Sequence, residues 1–176
     1  MSLDNHLALR RWLAANNGYV HPDVEVAFDP DKGYHARIAN SKSIQSGTRV
    51  AKCSMISSLS VLNALHTPPF SCRGTRFPKD FLLDQDTTVV QYFFLMEQWL
   101  LQGKSWWAPY LRTLPGPDEV ADLFFTDSKD IVFFKGTNLE RALADRIQSL
   151  RDQFRRGTCH LKKLRWPRAV QDEYTW

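Results

Sequence analysis

Three observations predict an α+β fold, with short strands first and helices after. Val24, Val26 and Phe28 alternate with Glu25 and Ala27, the period of a half-buried strand. The stretch from Val89 to Met96 is apolar at every position except Gln91, as a packed helix requires. Leu139, Leu143, Ile147, Leu150 and Phe154 follow one another at spacings of 4, 4, 3 and 4, the stripe of an amphipathic helix.

Each element can be justified in turn. Asn5 to Ala15 is predicted helical, with Leu9, Trp12 and Leu13 on one face and Asn16-Asn17-Gly18 as its stop. The strand Val24 to Phe28 meets Asp29-Pro30-Asp31-Lys32-Gly33, a turn in which Pro presets φ and Gly accepts a positive one. Tyr34 to Ile38 is the return strand of that hairpin. Ser46-Gly47 marks a second turn, and Thr48 to Cys53 reads as a third strand. Ser58 to Leu65 is a short helix, broken by Thr67-Pro68-Pro69, and residues 70–78 are a loop. Asp86 caps a helix that runs to Leu101, buried nearly all round in its middle and stopped at Gly103. Ser105 caps a further short helix to Arg112, and Leu114-Pro115-Gly116-Pro117 breaks it. Thr137-Asn138-Leu139-Glu140 has the form of a capping box for the amphipathic helix, which is expected to end at Gly157. A last short helix is expected to start near Pro167. The organisation is therefore an N-terminal helix (1–17), a β part (18–57) and a helical part (58–176).

Composition excludes several classes. With 176 residues, 43% of them hydrophobic and 24% charged, the chain can bury a core. Val89 to Leu101 is too short and, with Gln91, Glu97 and Gln98, too polar to span a bilayer, so no membrane partner is expected. Cys53, Cys72 and Cys159 are far apart, without zinc spacing, and suit reduced thiols in cytoplasm or nucleus. The net charge is +4, with its basic residues gathered between Arg151 and Arg168. That run reads as a solvated helix face and loop; a nucleic-acid partner is the least expected alternative to it.

A search for self-contained chemistry finds no nucleophile elbow, no Walker-type phosphate loop and no His-Glu-x-x-His motif. His6, His21, His35, His66 and His160 are scattered and read as surface or hydrogen-bonded residues. Asp29/Asp31 and Asp84/Asp86 fit turns and caps, and Trp106-Trp107 fits core packing. No catalytic residue and no metal ligand is assigned.

Several strings, in order along the chain, nevertheless resemble one family. Asn17-Gly18-Tyr19-Val20-His21-Pro22 precedes the first strand, Gly33-Tyr34-His35 follows it, and Ile44-Gln45-Ser46-Gly47-Thr48-Arg49-Val50 comes next. Leu59 to Ala64 then precedes Glu97, Gly103-Lys104-Ser105-Trp106-Trp107-Ala108-Pro109-Tyr110-Leu111-Arg112-Thr113-Leu114-Pro115 and Phe134-Lys135-Gly136-Thr137-Asn138-Leu139. The pattern is similar to the N-terminal part of SET-domain protein methyltransferases of the Rubisco large-subunit methyltransferase-like branch, in a form resembling fungal members. The resemblance implies SET-type strands followed by a helical insert. It also implies S-adenosylmethionine-dependent protein-lysine N-methylation, with a lysine-bearing protein as substrate. By position it places Lys32, Gly33, Tyr34 and His35 along the cofactor's edge, where a missing Cβ lets main chain come close. His35 stands where the family has a second glycine. The family's Asn-His motif and catalytic tyrosine follow the helical insert and have no counterpart in these residues. The SET fold is therefore expected to be incomplete at the C-terminus and the chain inactive alone. A non-enzymatic protein-binding module derived from a SET protein is the alternative reading.

Overall fold

The computed structural model describes residues 3–29, 31, 33–65, 77–116, 131–166 and 174. In chain order the elements are α1 (Leu3–Ala15), β1 (Tyr19–Val20), β2 (Val24–Asp29), β3 (Gly33–Ile38), β4 (Ala51–Lys52), α2 (Val61–Ala64), α3 (Lys79–Asp84), α4 (Thr87–Leu101), α5 (Ala108–Leu111), α6 (Ile131–Phe134) and α7 (Asn138–Lys163). This is an α+β chain. It divides into two units: Met1–Arg73 with Leu101–Leu114, and Gly74–Leu100 with Pro115–Trp176.

In the first unit α1 forms as its stripe predicts and ends as its Asn-Asn-Gly does. Asn17 adopts the left-handed region at φ 61°, and the amides of Asn16 and Gly18 both donate to the Leu13 carbonyl, at 3.0 and 2.8 Å. Strands β2 and β3 pair antiparallel with Val24 opposite Ile38 and Phe28 opposite Tyr34. Their period of two puts Val24, Val26, Phe28, Tyr34, Ala36 and Ile38 on one face. The other face carries the exposed Glu25–Arg37 pair at 2.7 Å. Arg10 ties α1 to this hairpin: its guanidinium donates to the carbonyls of Val24 (2.8 Å) and His21 (3.0 Å).

The expected third strand, Thr48 to Cys53, shrinks to the two residues of β4. It pairs with β1 rather than extending the hairpin. Gly47 at φ 82° turns the chain first, and the Val50 carbonyl then accepts from the His21 amide at 2.8 Å. The contact that decides this pairing is made by Tyr19–Val20, a segment too short to show strand periodicity.

The first unit's core gathers around Trp107, which is completely buried. Its indole N–H donates to the Ser57 carbonyl at 3.0 Å, so the one polar group of a large apolar side chain is satisfied. Ser105 does not cap a helix as expected: α5 starts only at Ala108 with Trp107 in the cap position, and the Ser105 hydroxyl instead accepts from the Trp107 amide at 3.1 Å in the turn before it. Trp106 meets Trp12 of α1 edge-on at 4.7 Å and Trp107 at 5.0 Å. Asn5, also on α1, donates to the Arg112 carbonyl at 3.0 Å. The Gly103–Pro115 string is thus the block on which α1 rests.

The second unit is built on α3, α4 and α7. Helix α3 was not anticipated; it starts after Pro78, whose ψ of 145° keeps it outside the helix. Helix α4 is not buried all round. In its middle it buries Val89, Val90, Phe93 and Phe94, and further on Glu97 and Gln98, while Tyr92, Leu95 and Met96 are half-buried and Gln91 is exposed. Phe93 lies at the centre of an aromatic cluster, 5.4 Å from Phe81, 5.9 Å from Phe154 and 6.0 Å from Tyr174.

Helix α7 departs most from expectation. It does not stop at Gly157 but continues to Lys163 with Gly157 buried inside it. The glycine serves packing instead of termination: a methyl group there would overlap Cε2 and Cζ of Phe93, and even Cδ2 would be only 3.1 Å away. The capping box is also only half formed. Glu140 reaches back, but to the Gly136 amide at 2.7 Å, while the Thr137 hydroxyl donates to the Phe134 carbonyl at 2.6 Å. Gly136, one residue before the cap, adopts the left-handed region at φ 76°. The Thr67-Pro68-Pro69 break, most of the 70–78 loop and the helix at Pro167 lie outside the described residues.

Asp86 does cap α4, accepting from the Thr88 amide at 2.7 Å. That bond, with the Thr88 hydroxyl and more distant help from Arg156, holds its carboxyl below the usual value of 3.8. A depressed carboxylate contributes stability above its unfolded pKa and loses it as pH falls through the folded one. Asp86→Asn keeps an acceptor but not the charge. Thermal melts should therefore show wild type ahead of the variant near neutral pH, with the gap closing as pH drops below 3.8.

Candidate functional site

The region to which the resemblance assigns the cofactor is the exit of the β2–β3 turn. Its start is organised by an aspartate, as the sequence suggests: the Asp31 amide donates to Asp29 Oδ1 at 2.9 Å. Gly33 follows at φ 68°, a region in which side chains are strained. Among the described residues, its chain neighbours aside, no atom lies within 4 Å of where its Cβ would be. The glycine is needed here for its backbone angle, and the space beside it is open.

The other residues do not converge on one face. Tyr34 and His35 are successive on β3 and therefore point to opposite sides of the hairpin. Tyr34 joins the apolar side, its ring 5.0 Å from Phe28 and 4.7 Å from the imidazole of His6. His35 lies across from Ala27, with Nδ1 3.1 Å from the Gly33 carbonyl. Gly33, His35 and the main chain between them share one side. Lys32 lies outside the described residues.

His6 is the residue that sequence reading misses. It stands on α1, and no spacing in the sequence links it to Tyr34. Its Nε2 is shielded from solvent and meets no hydrogen-bond partner among the described residues. The Nε2 of His160 on α7 is in the same condition, so these two imidazoles depart from the expected surface or hydrogen-bonded role. His21 follows it, accepting at Nδ1 from the Asp23 amide at 3.2 Å.

Chemically, the hairpin can offer main-chain donors and acceptors and an aromatic flank. Nothing described there pairs a nucleophile with a base. Among the described residues no group of His, Cys, Asp and Glu could hold a metal ion. Cys53 and Cys159 are exposed free thiols. No helix among the described residues is long and apolar enough to cross a membrane.

A second concavity lies in the other unit. Val89, Tyr92, Phe93 and Met96 of α4 and Leu150, Gln153 and Phe154 of α7 enclose about 190 Å³. Arg146 donates to the Tyr92 hydroxyl at 3.2 Å beside it. The lining is apolar apart from Tyr92 and Gln153 and carries no acid or base.

No protein-family model, no curated protein and no solved structure matches the chain.

Proposed function

We propose that these residues form the cofactor-facing N-terminal portion of an S-adenosylmethionine-dependent protein-lysine N-methyltransferase of the SET type, Rubisco large-subunit methyltransferase-like branch, without turnover of their own. The observation that carries the reading is Gly33: a left-handed glycine at a hairpin exit, with open space beside it, in the place the resemblance reserves for main-chain contact. The open side fits a flat ligand edge. Gly33 and His35 would line it together with Lys32, and Tyr34 would contribute its main chain only. The cofactor would supply an electrophilic methyl on a sulfonium. These residues would contribute binding and orientation, while the in-line placement of a lysine amine, which dominates the rate of such a transfer, would fall to groups that the resemblance places after the helical insert.

Amide spectra of the labelled chain titrated with S-adenosylmethionine test the reading. Shifts confined to Gly33, Tyr34 and His35 and their neighbours are expected, with weak affinity and no methylated lysine formed. Gly33→Val should abolish the shifts at a cost of about 1–2 kcal/mol from left-handed strain. Unmoved amides in that segment would overturn the cofactor assignment, and turnover would overturn the inactivity.

A second reading, a protein-docking module without catalysis, is favoured by the apolar residues left bare around the start of α7. Val132, Phe133 and Leu139 are 69%, 74% and 52% exposed. A folded monomer whose hairpin amides ignore the cofactor would support this reading over the first.

A further inference from the structure

The sequence alone reads the basic run near the C-terminus as a solvated helix end followed by a loop. Continuation of α7 through Gly157 changes its geometry: the cations from Arg151 to Lys163 become one rigid helical surface. Residues seven apart lie two turns apart on nearly the same side, about 10 Å along the axis. Arg155 and Lys162 therefore form one row and Arg156 and Lys163 a second beside it. Arg151 extends the first row by one turn, and Arg165 follows just past the helix end. All six are exposed.

The charge is concentrated there. Residues 151–165 hold six cations and one anion, Asp152, a surplus of five. The whole chain has only +4, so everything outside this segment is slightly acidic in sum. Asp86 draws on Arg156 from α4. Among the described residues, Arg155, Lys162, Lys163 and Arg165 form no ion pair. A cluster of this kind raises the local concentration of polyanions.

We propose that this face of α7 docks along the phosphate backbone of a nucleic-acid duplex. The face offers guanidinium and ammonium groups, and guanidinium forks match phosphate oxygens. It presents no aromatic residue, so bases of a single strand have nothing on which to stack. A tight protein interface would need buried aromatic or aliphatic anchors, and none is present among the cations. A membrane-surface helix would need an apolar face beside the basic one. Along the stretch that carries the cations the apolar side is already committed: Leu161 is buried, Gly157 is against Phe93, and Phe154 stacks on it.

The test is fluorescence anisotropy of the full chain with labelled duplexes of about 20 base pairs and arbitrary sequence, DNA and RNA in parallel, from about 50 to about 200 mM salt. Binding of either duplex is expected, with affinity falling about 10²–10³-fold over that range, as four to six phosphate contacts require. Arg155→Glu with Lys162→Glu should weaken binding by more than about tenfold at low salt and reduce the salt slope by about two. Lys104→Glu, outside the cluster, should change little, and circular dichroism should show all variants folded. Absence of binding at low salt, indifference to the double reversal, or stronger capture by phosphatidylserine vesicles than by duplexes would each overturn the proposal.

Discussion

Gly157→Ala should destabilise the second unit by about 1–3 kcal/mol, the usual cost of overpacking a filled core. In an ordinary helix interior the same change stabilises by about 0.8–1.0 kcal/mol, because alanine restricts the unfolded chain. The sign is reversed here by one neighbour. A methyl at 157 meets the distal edge of the Phe93 ring, and moving that ring disturbs its packing against Phe81, Phe154 and Tyr174. Denaturant midpoints of wild type, Gly157→Ala, Phe93→Leu and the double variant form a cycle that measures this. Phe93→Leu alone should destabilise by lost volume. The double variant should be less destabilised than the two singles added together, because the smaller side chain admits the methyl. Simple additivity, or a stabilised Gly157→Ala, would remove the close contact as the reason for the glycine.

Trp107→Ala should be the costliest single change in the first unit, about 3–5 kcal/mol. The side chain has no exposed surface, so truncation opens a cavity and also strips the Ser57 carbonyl of its donor. Trp107→Phe separates the two effects. It keeps most of the apolar volume and removes the N–H, so its loss should be well below that of alanine. Near-equal losses would mean the hydrogen bond, rather than the packing, carries the contribution. Trp106→Ala should cost less than Trp107→Ala, because Trp106 is only partly buried.

Local chemistry made part of this fold legible. The β2–β3 hairpin follows from alternation and one turn, and the cap at Asp86 follows from residue type, since its partner is two positions away. Errors arose where a distant residue decides. A glycine in a helical pattern can be a stop or a close contact, and only Phe93, far away in sequence, tells which. The fate of Thr48 to Cys53 depended on Tyr19–Val20. An apolar run does not reveal which sides of α4 find neighbours, and Tyr92, Leu95 and Met96 in its middle stay half-buried. The candidate site divides the same way. The angle of Gly33 was implied by its turn, whereas the opposite orientation of Tyr34 and His35 weakens any grouping by sequence adjacency, and His6 beside Tyr34 had no sequence signal.

The discontinuity of the first unit bears on its synthesis. Its last segment, Leu101–Leu114, supplies Trp107, which bonds to Ser57, and the Arg112 carbonyl, which Asn5 caps across 107 positions of sequence. A nascent chain emerging N-terminus first holds α1, the hairpin and β4 long before that block appears. At roughly 5–20 residues per second the wait is several seconds. During it Trp12 has no Trp106 to meet, and the two-stranded β2–β3 sheet has too little buried surface to be stable alone. The N-terminal half is therefore without its core until Trp107 clears the exit tunnel, and arrest before residue 101 should leave it protease-sensitive.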